Sequence, residues 1–218
     1  MKMKALAALC KKESTYILYN RETENAEKPQ QWLGVRGAIY PLPELPPLSE
    51  EHIAALFDIS VSQRERCDIG IDDFPDGIDG SDFCVGEKML DPSYITIRYK
   101  ERIVRPYMTR DGLEFVNDEY FKPLADVQDE LEIYERRCNN GSIYFAAKIG
   151  FVLVGLIMPI RIDKELVDDM EMLAEQARVA FRLKKEREER QITAPGQMDL
   201  GELVDVDNDK EVQNGTDD

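Results

Sequence analysis

The chain has 218 residues and a mass of 25.1 kDa, enough for one or two domains with an ordinary core. Hydrophobic residues make up 43% of it, which excludes a chain disordered throughout. Acids outnumber bases 44 to 28, a formal net charge of -16, so bulk charge cannot hold it on nucleic acid; only a local basic face or a topological grip is left.

Residues 4–12 read as a short amphipathic helix. Its apolar run is about six residues, below the roughly 7–15 of a signal-peptide core. Strands are expected at 15–19, 31–35 and 38–40, then a proline-rich crossing at 41–47 and a helix over 50–57 capped by Ser49. Residues 58–92 are acidic and rich in turn formers. Residues 94–99 alternate cleanly and pair with 103–108 across a Lys100-Glu101-Arg102 turn. Asn117 caps a helix over 118–127, with Pro123 in its middle. Strands follow at 131–137, 142–148 and 152–157, the first two joined through Asn140-Gly141, the preferred chemistry of a tight hairpin. The most apolar stretch, 149–162, is too short for a bilayer and contains Gly150, Gly155, Pro159 and Arg161. No membrane partner and a cytoplasmic location are therefore expected.

Residues 163–190 lack glycine and proline and read as one helix. Leu166, Met170, Leu173, Ala177 and Ala180 step by four and three along it, the narrow seam of a self-association helix in a homo-oligomer. Residues 191–218 carry eight acids against the single base Lys210 and are expected to be disordered. Three regions result: an α+β domain over 1–162, built from antiparallel sheets with short helices, a long C-terminal helix over 163–190, and an acidic tail over 191–218.

Signals for catalysis are sparse. The four cysteines, Cys10, Cys67, Cys84 and Cys138, form no Cys-x-x-Cys pair and read as buried free thiols. His52, the only histidine, sits at a helix start and reads as a surface residue. The carboxylate-rich segment 68–82 invites a cation. A calcium loop with Gly77 at its sixth position fits Asp72 and Asp76 but puts Phe74 and Phe83 where ligands belong. A metal-dependent enzyme using these carboxylates, or a structural oligomer held by the 163–190 helix, stands as the alternative to a non-catalytic interaction protein; no cofactor is expected. Cations gather instead on the hairpin, where Arg98, Lys100, Arg102 and Arg105 suit phosphate contact, and on the first helix, where Lys2, Lys4, Lys11 and Lys12 form a second cluster.

The segment 113–162 carries a resemblance. It contains Asn117-Asp118-Glu119-Tyr120, then Pro123-Leu124-Ala125, three strand-like runs, and the ending Met158-Pro159-Ile160-Arg161-Ile162. This resembles the final half-domain of a bacterial DNA polymerase sliding clamp, in which a strand runs into an Asn-x-x-Tyr helix start and three antiparallel strands close on a hydrophobic-Met-Pro-hydrophobic-Arg-Leu sequence. The resemblance implies a duplicated βαβββ scaffold, with residues 4–57 as the diverged first copy. It also implies a replication-associated function without catalysis, through contacts with DNA and protein partners, in a protein of a prophage or mobile element. The chain departs from the family in its acidic 118–127 helix and in the residues that follow the Met-Pro motif. In the tail, Gln197, Met198, Asp199 and Leu200, with Leu203 behind them, resemble the Gln-Leu-Asp-Leu-Phe peptide by which replication proteins dock on a sliding clamp, which implies a host clamp or polymerase as partner.

Overall fold

The computed structural model describes residues 1–22, 29–43 and 45–193. The chain divides into two compact units, Met1–Val167 and Asp168–Asp218.

The first unit opens with α1 (Met3–Glu13), whose Leu6, Leu9 and Cys10 share one buried face; the helix ends at Ser14 in the left-handed region, φ 52°. Strands β1 (Thr15–Arg21), β2 (Gln30–Val35) and β3 (Ala38–Pro41) follow as an antiparallel meander. Helices α2 (Glu50–Leu56) and α3 (Val61–Arg64) lead to β4 (Asp68–Asp73), which returns beside β1 in parallel, and to the two-residue β5 (Lys88–Met89). A small antiparallel sheet of β6 (Ile97–Tyr99), β7 (Arg102–Thr109) and β8 (Gly112–Asn117) comes next. A 3-10 helix, Asp118–Leu124, then precedes a second meander of β9 (Leu131–Arg137), β10 (Ile143–Ile149) and β11 (Val152–Ile157). Helix α4 (Lys164–Thr193) closes the described chain. The class is α+β, as expected.

The main sheet has the order β4-β1-β2-β3-β11-β10-β9-β5. Its six central strands are palindromic. Each half is a helix followed by a three-strand meander, and the third strands meet antiparallel, Leu156 opposite Ile39 and Ile157 opposite Ala38. The two helical segments pack together: the Lys2 N–H donates to the Pro123 carbonyl at 2.7 Å. The buried Tyr40 hydroxyl donates to the Tyr120 carbonyl at 2.5 Å, tying the first meander to the second half's helix. Leu6, Leu18, Leu33, Tyr40, Leu124, Phe145 and Ile157 form the core on the helix side. Trp32, Ile39, Tyr144, Ala146, Leu153 and Leu156 form a second core on the other side. Strand β10 is therefore buried on both faces, which is why it is apolar from Ile143 to Ala147 rather than alternating.

Several expectations need correction. Residues 118–127 are not one α-helix but 3-10 turns at Asp118–Leu124 and Gln128–Glu130. Pro123 lacks the N–H an α-helix requires there, and the backbone closes on three-residue bonds such as Val127 N–H to Leu124 C=O, 3.0 Å. The strand expected at 94–99 is only Ile97–Tyr99; Ile95, expected with Ile97 and Tyr99 on the core face, is exposed, and so is Tyr94. The acidic segment conceals an edge strand, β4. All four cysteines are free, but only Cys10 is buried, its thiol pushed up to about 12 by burial; Cys67, Cys84 and Cys138 are half-buried. Helix α4 runs three residues into the expected tail, to Thr193, and the rest of the tail lies outside the described residues.

Leu156 is fully buried where the two halves join. Leu156→Ala should cost about 2–5 kcal/mol, read as a lower urea midpoint in unfolding followed by the fluorescence of Trp32.

Candidate functional site

The β6–β7 turn puts Lys100 at φ 54°, a left-handed conformation that a tight hairpin demands. Cross-strand pairing then decides which side chains share a face: Tyr99 sits opposite Arg102, and Arg98 opposite Ile103. The cations expected to act together are thereby split. Arg102 projects with Tyr99, while Arg98 shares the other face with Arg105. Arg105 is not free for a ligand: its guanidinium binds Asp118 through Nε at 3.0 Å and Nη2 at 2.5 Å and stacks on Phe121 at 4.9 Å.

What gathers instead is a corner. Tyr99, Lys100, Glu101, Arg102, Ile160 and Arg161 line a cavity of about 470 Å³. The Tyr99 hydroxyl donates to Asp163 at 2.9 Å, and Lys100 lies over the Tyr99 ring at 4.8 Å. Arg36, in the β2–β3 turn, is not among the residues that line this cavity. Burial and then the charge of Glu13 push the Tyr120 hydroxyl up, while a hydrogen bond with Asn117 and the charges of Arg102 and Arg36 oppose them. Both guanidinium groups thus lie near Tyr120. The adjacent Gly37 has no room for a side chain, since an added Cβ would stand 2.8 Å from the Tyr120 hydroxyl. Arg36, Arg102 and Arg161 make no ion pair among the described residues. Sequence reading missed Arg161, which joins the cavity from a segment far from the hairpin, and Arg36, which joins Arg102 near Tyr120.

The first helix contributes less than expected. Lys12 is spent on Glu119 at 2.6 Å, where Lys122 also binds at 3.1 Å. Lys2, Lys4 and Lys11 are exposed. Lys11 borders a separate small cavity with Tyr16, Phe57 and Arg66.

Two carboxylates of 68–82, Asp79 and Asp82, serve the structure. Asp79 accepts the Ser81 N–H at 2.8 Å and the Ser81 hydroxyl; burial raises its carboxyl, but these bonds, one from Cys84 and the charge of Arg136 hold it below the usual range. Asp82 accepts the Leu153 N–H at 2.8 Å. Among the described residues no group of three or more His, Cys, Asp or Glu side chains is arranged to hold a metal ion. His52 completes a capping box: its Nδ1 accepts the Ser49 N–H at 3.1 Å.

This acidic segment is held across the second sheet face by a buried lock. Arg136, fully buried, donates to Glu87 at 2.6 Å and to the carbonyls of Asp79, Ser81 and Asp82. Lys148 donates to the other Glu87 oxygen at 2.8 Å.

Of the expected self-association residues, Leu166 and Met170 are half-buried, and Leu173 and Ala177 exposed. Gln197, Met198, Asp199, Leu200 and Leu203 lie outside the described residues. No family model matches the chain, and neither does any curated protein or solved structure.

Burial raises the Glu87 carboxyl, but the bonds from Lys148 and Arg136 and their charges outweigh it and leave it below its ordinary 4.5. A depressed folded-state pKa adds stability that is complete above the unfolded value and lost as pH falls through the folded one. The wild-type urea midpoint should therefore fall as pH drops below 4.5, and Glu87→Gln should flatten that part of the curve. Arg136→Leu, which leaves one Glu87 oxygen and three carbonyls without their donor, should cost about 3–5 kcal/mol at neutral pH.

Proposed function

We propose that the protein is a non-catalytic, clamp-like platform of DNA replication that works through contacts with DNA and protein partners. The observation that carries this reading is the internal repeat: a helix and a three-strand meander, occurring twice, with the third strands paired at the centre of one sheet. This repeat supports a duplicated scaffold of the kind implied by the Asn117-to-Tyr120 and Met158-to-Ile162 motifs. Both motifs fall at structural joints. Asn117 accepts the Glu119 N–H at the start of the 3-10 helix, and the Met158 N–H donates to Gly37 across the two halves at 2.8 Å.

The DNA contact in this reading is the corner of Arg36, Lys100, Arg102 and Arg161, a local basic face on a chain too acidic to bind by overall charge. The protein contact is the tail segment from Gln197 to Leu203, offered to a bacterial sliding clamp or polymerase.

Electrophoretic shift and sedimentation with circular and linear duplex DNA test the platform, and binding to a purified sliding clamp tests the tail. Arg36→Glu with Arg102→Glu should weaken DNA binding at least about tenfold and reduce its salt slope by about two, while stability moves by less than about 0.5 kcal/mol. Gln197→Ala with Leu200→Ala should weaken clamp binding by about tenfold or more and leave DNA binding unchanged. A strict monomer without affinity for any DNA form or for a sliding clamp removes the proposal.

A further inference from the structure

Helix α4 leaves an unusual set of side chains uncovered. Leu173 is 65% exposed and Phe181 73%. At 100° per residue, Leu166, Val167, Met170, Leu173, Ala174, Ala177, Ala180 and Phe181 fall within one stripe. Charge flanks the stripe unevenly. Residues 164–177 hold five acids and one base, and residues 178–190 hold six bases and three acids. The helix dipole accounts for charge in the terminal turns only, whereas this division runs the length of the helix. The ion pairs within α4, Arg178–Glu175 at 3.5 Å, Lys184–Glu188 at 3.8 Å and Lys185–Glu189 at 3.8 Å, are exposed and weak.

From these two asymmetries we infer that α4 pairs with α4 of a second copy of this chain in antiparallel orientation, about a twofold axis near Glu175. In that register Leu173 faces Ala177 of the other copy, Met170 faces Ala180, and Val167 lies beside Phe181. Large side chains of one half meet small ones of the other, so the seam fills evenly. A parallel pair stacks alanine on alanine and leaves gaps that cost stability. Charge selects the same orientation: the acidic half of each helix lies along the basic half of its mate, whereas parallel pairing sets like charge against like. The pair is isologous and closes on itself, so it yields a dimer and not a fibre. This inference is independent of the clamp-like reading.

The test is sedimentation equilibrium of the full chain, with far-UV circular dichroism and the urea midpoint confirming that each variant is folded. Wild type should dimerise, and more weakly as salt rises. Leu173→Glu should raise the dissociation constant at least about tenfold. The triple change Glu165→Lys, Asp168→Lys and Asp169→Lys makes the whole helix basic and should weaken self-association by a similar factor. Mixing it with Arg178→Glu/Arg182→Glu should restore a heterodimer. In a parallel pair the triple change exchanges one like-charge contact for another and leaves association unaltered, which overturns the proposal. A wild-type chain that stays monomeric to about 100 µM also overturns it. A monomer that still binds DNA refutes the helix pairing and leaves the clamp-like platform standing.

Discussion

The guanidinium group of Arg136 is the buried charge around which one side of the molecule is organised. With no solvent exposure it must find every partner inside the protein, and it does: both oxygens of Glu87 are taken, one by Arg136 and one by Lys148, and the remaining guanidinium donors reach three carbonyls of the 79–82 turn. Lys148 in turn lies over the Tyr134 ring at 4.5 Å. A buried ion cluster of this kind adds little net stability over an apolar replacement, because desolvation consumes most of the Coulomb gain; removing a single member is what costs. Its effect is positional. It fixes where a turn-rich acidic segment crosses the sheet, with Phe74 against Trp32 at 5.3 Å and the Asp79 N–H on the Tyr144 hydroxyl at 2.9 Å. The second core is closed by a segment with few apolar residues of its own.

The palindrome in the sheet has a physical consequence. Two meanders that meet through their third strands share one continuous hydrogen-bonded surface, so neither half has a free central edge. The halves nonetheless differ. The first uses a true α-helix with a left-handed end at Ser14; the second uses a 3-10 helix, because Pro123 forbids the α-helical bond. The tighter segment still buries Tyr120, Phe121 and Leu124 and takes α1 alongside.

Local patterns made much of this legible. The second meander was readable because its turns have explicit chemistry: Gly141 and Gly150 occupy the left-handed region at φ 85° and 56°, where other residues are strained. Alternation failed at 94–99, where Tyr94 and Ile95 suit a strand but have no neighbouring strand to pair with. Strand β4 was hidden because its parallel pairing with β1 depends on a distant segment, and its acids discouraged a strand assignment. The lock was invisible for the same reason: Arg136 and Lys148 stand 49 and 61 residues from Glu87. Of the cationic hairpin, the sequence showed the composition but not the pairing that sends Arg98 and Arg102 to opposite faces.

Charge distribution links the fold to the proposed contact with DNA. A net charge of -16 repels a phosphate backbone from most directions. Lys100, Arg102 and Arg161 line one cavity and Arg36 lies with Arg102 near Tyr120, with Glu13, Glu101 and Asp163 as acids beside them. In such a field the acidic surround suppresses unspecific binding, and the corner sets the orientation in which an anion can approach. The proposed contact would then hold long duplexes weakly and in one geometry and leave the protein mobile along them. A strongly basic surface would hold the same duplex tightly in many geometries and surrender that mobility.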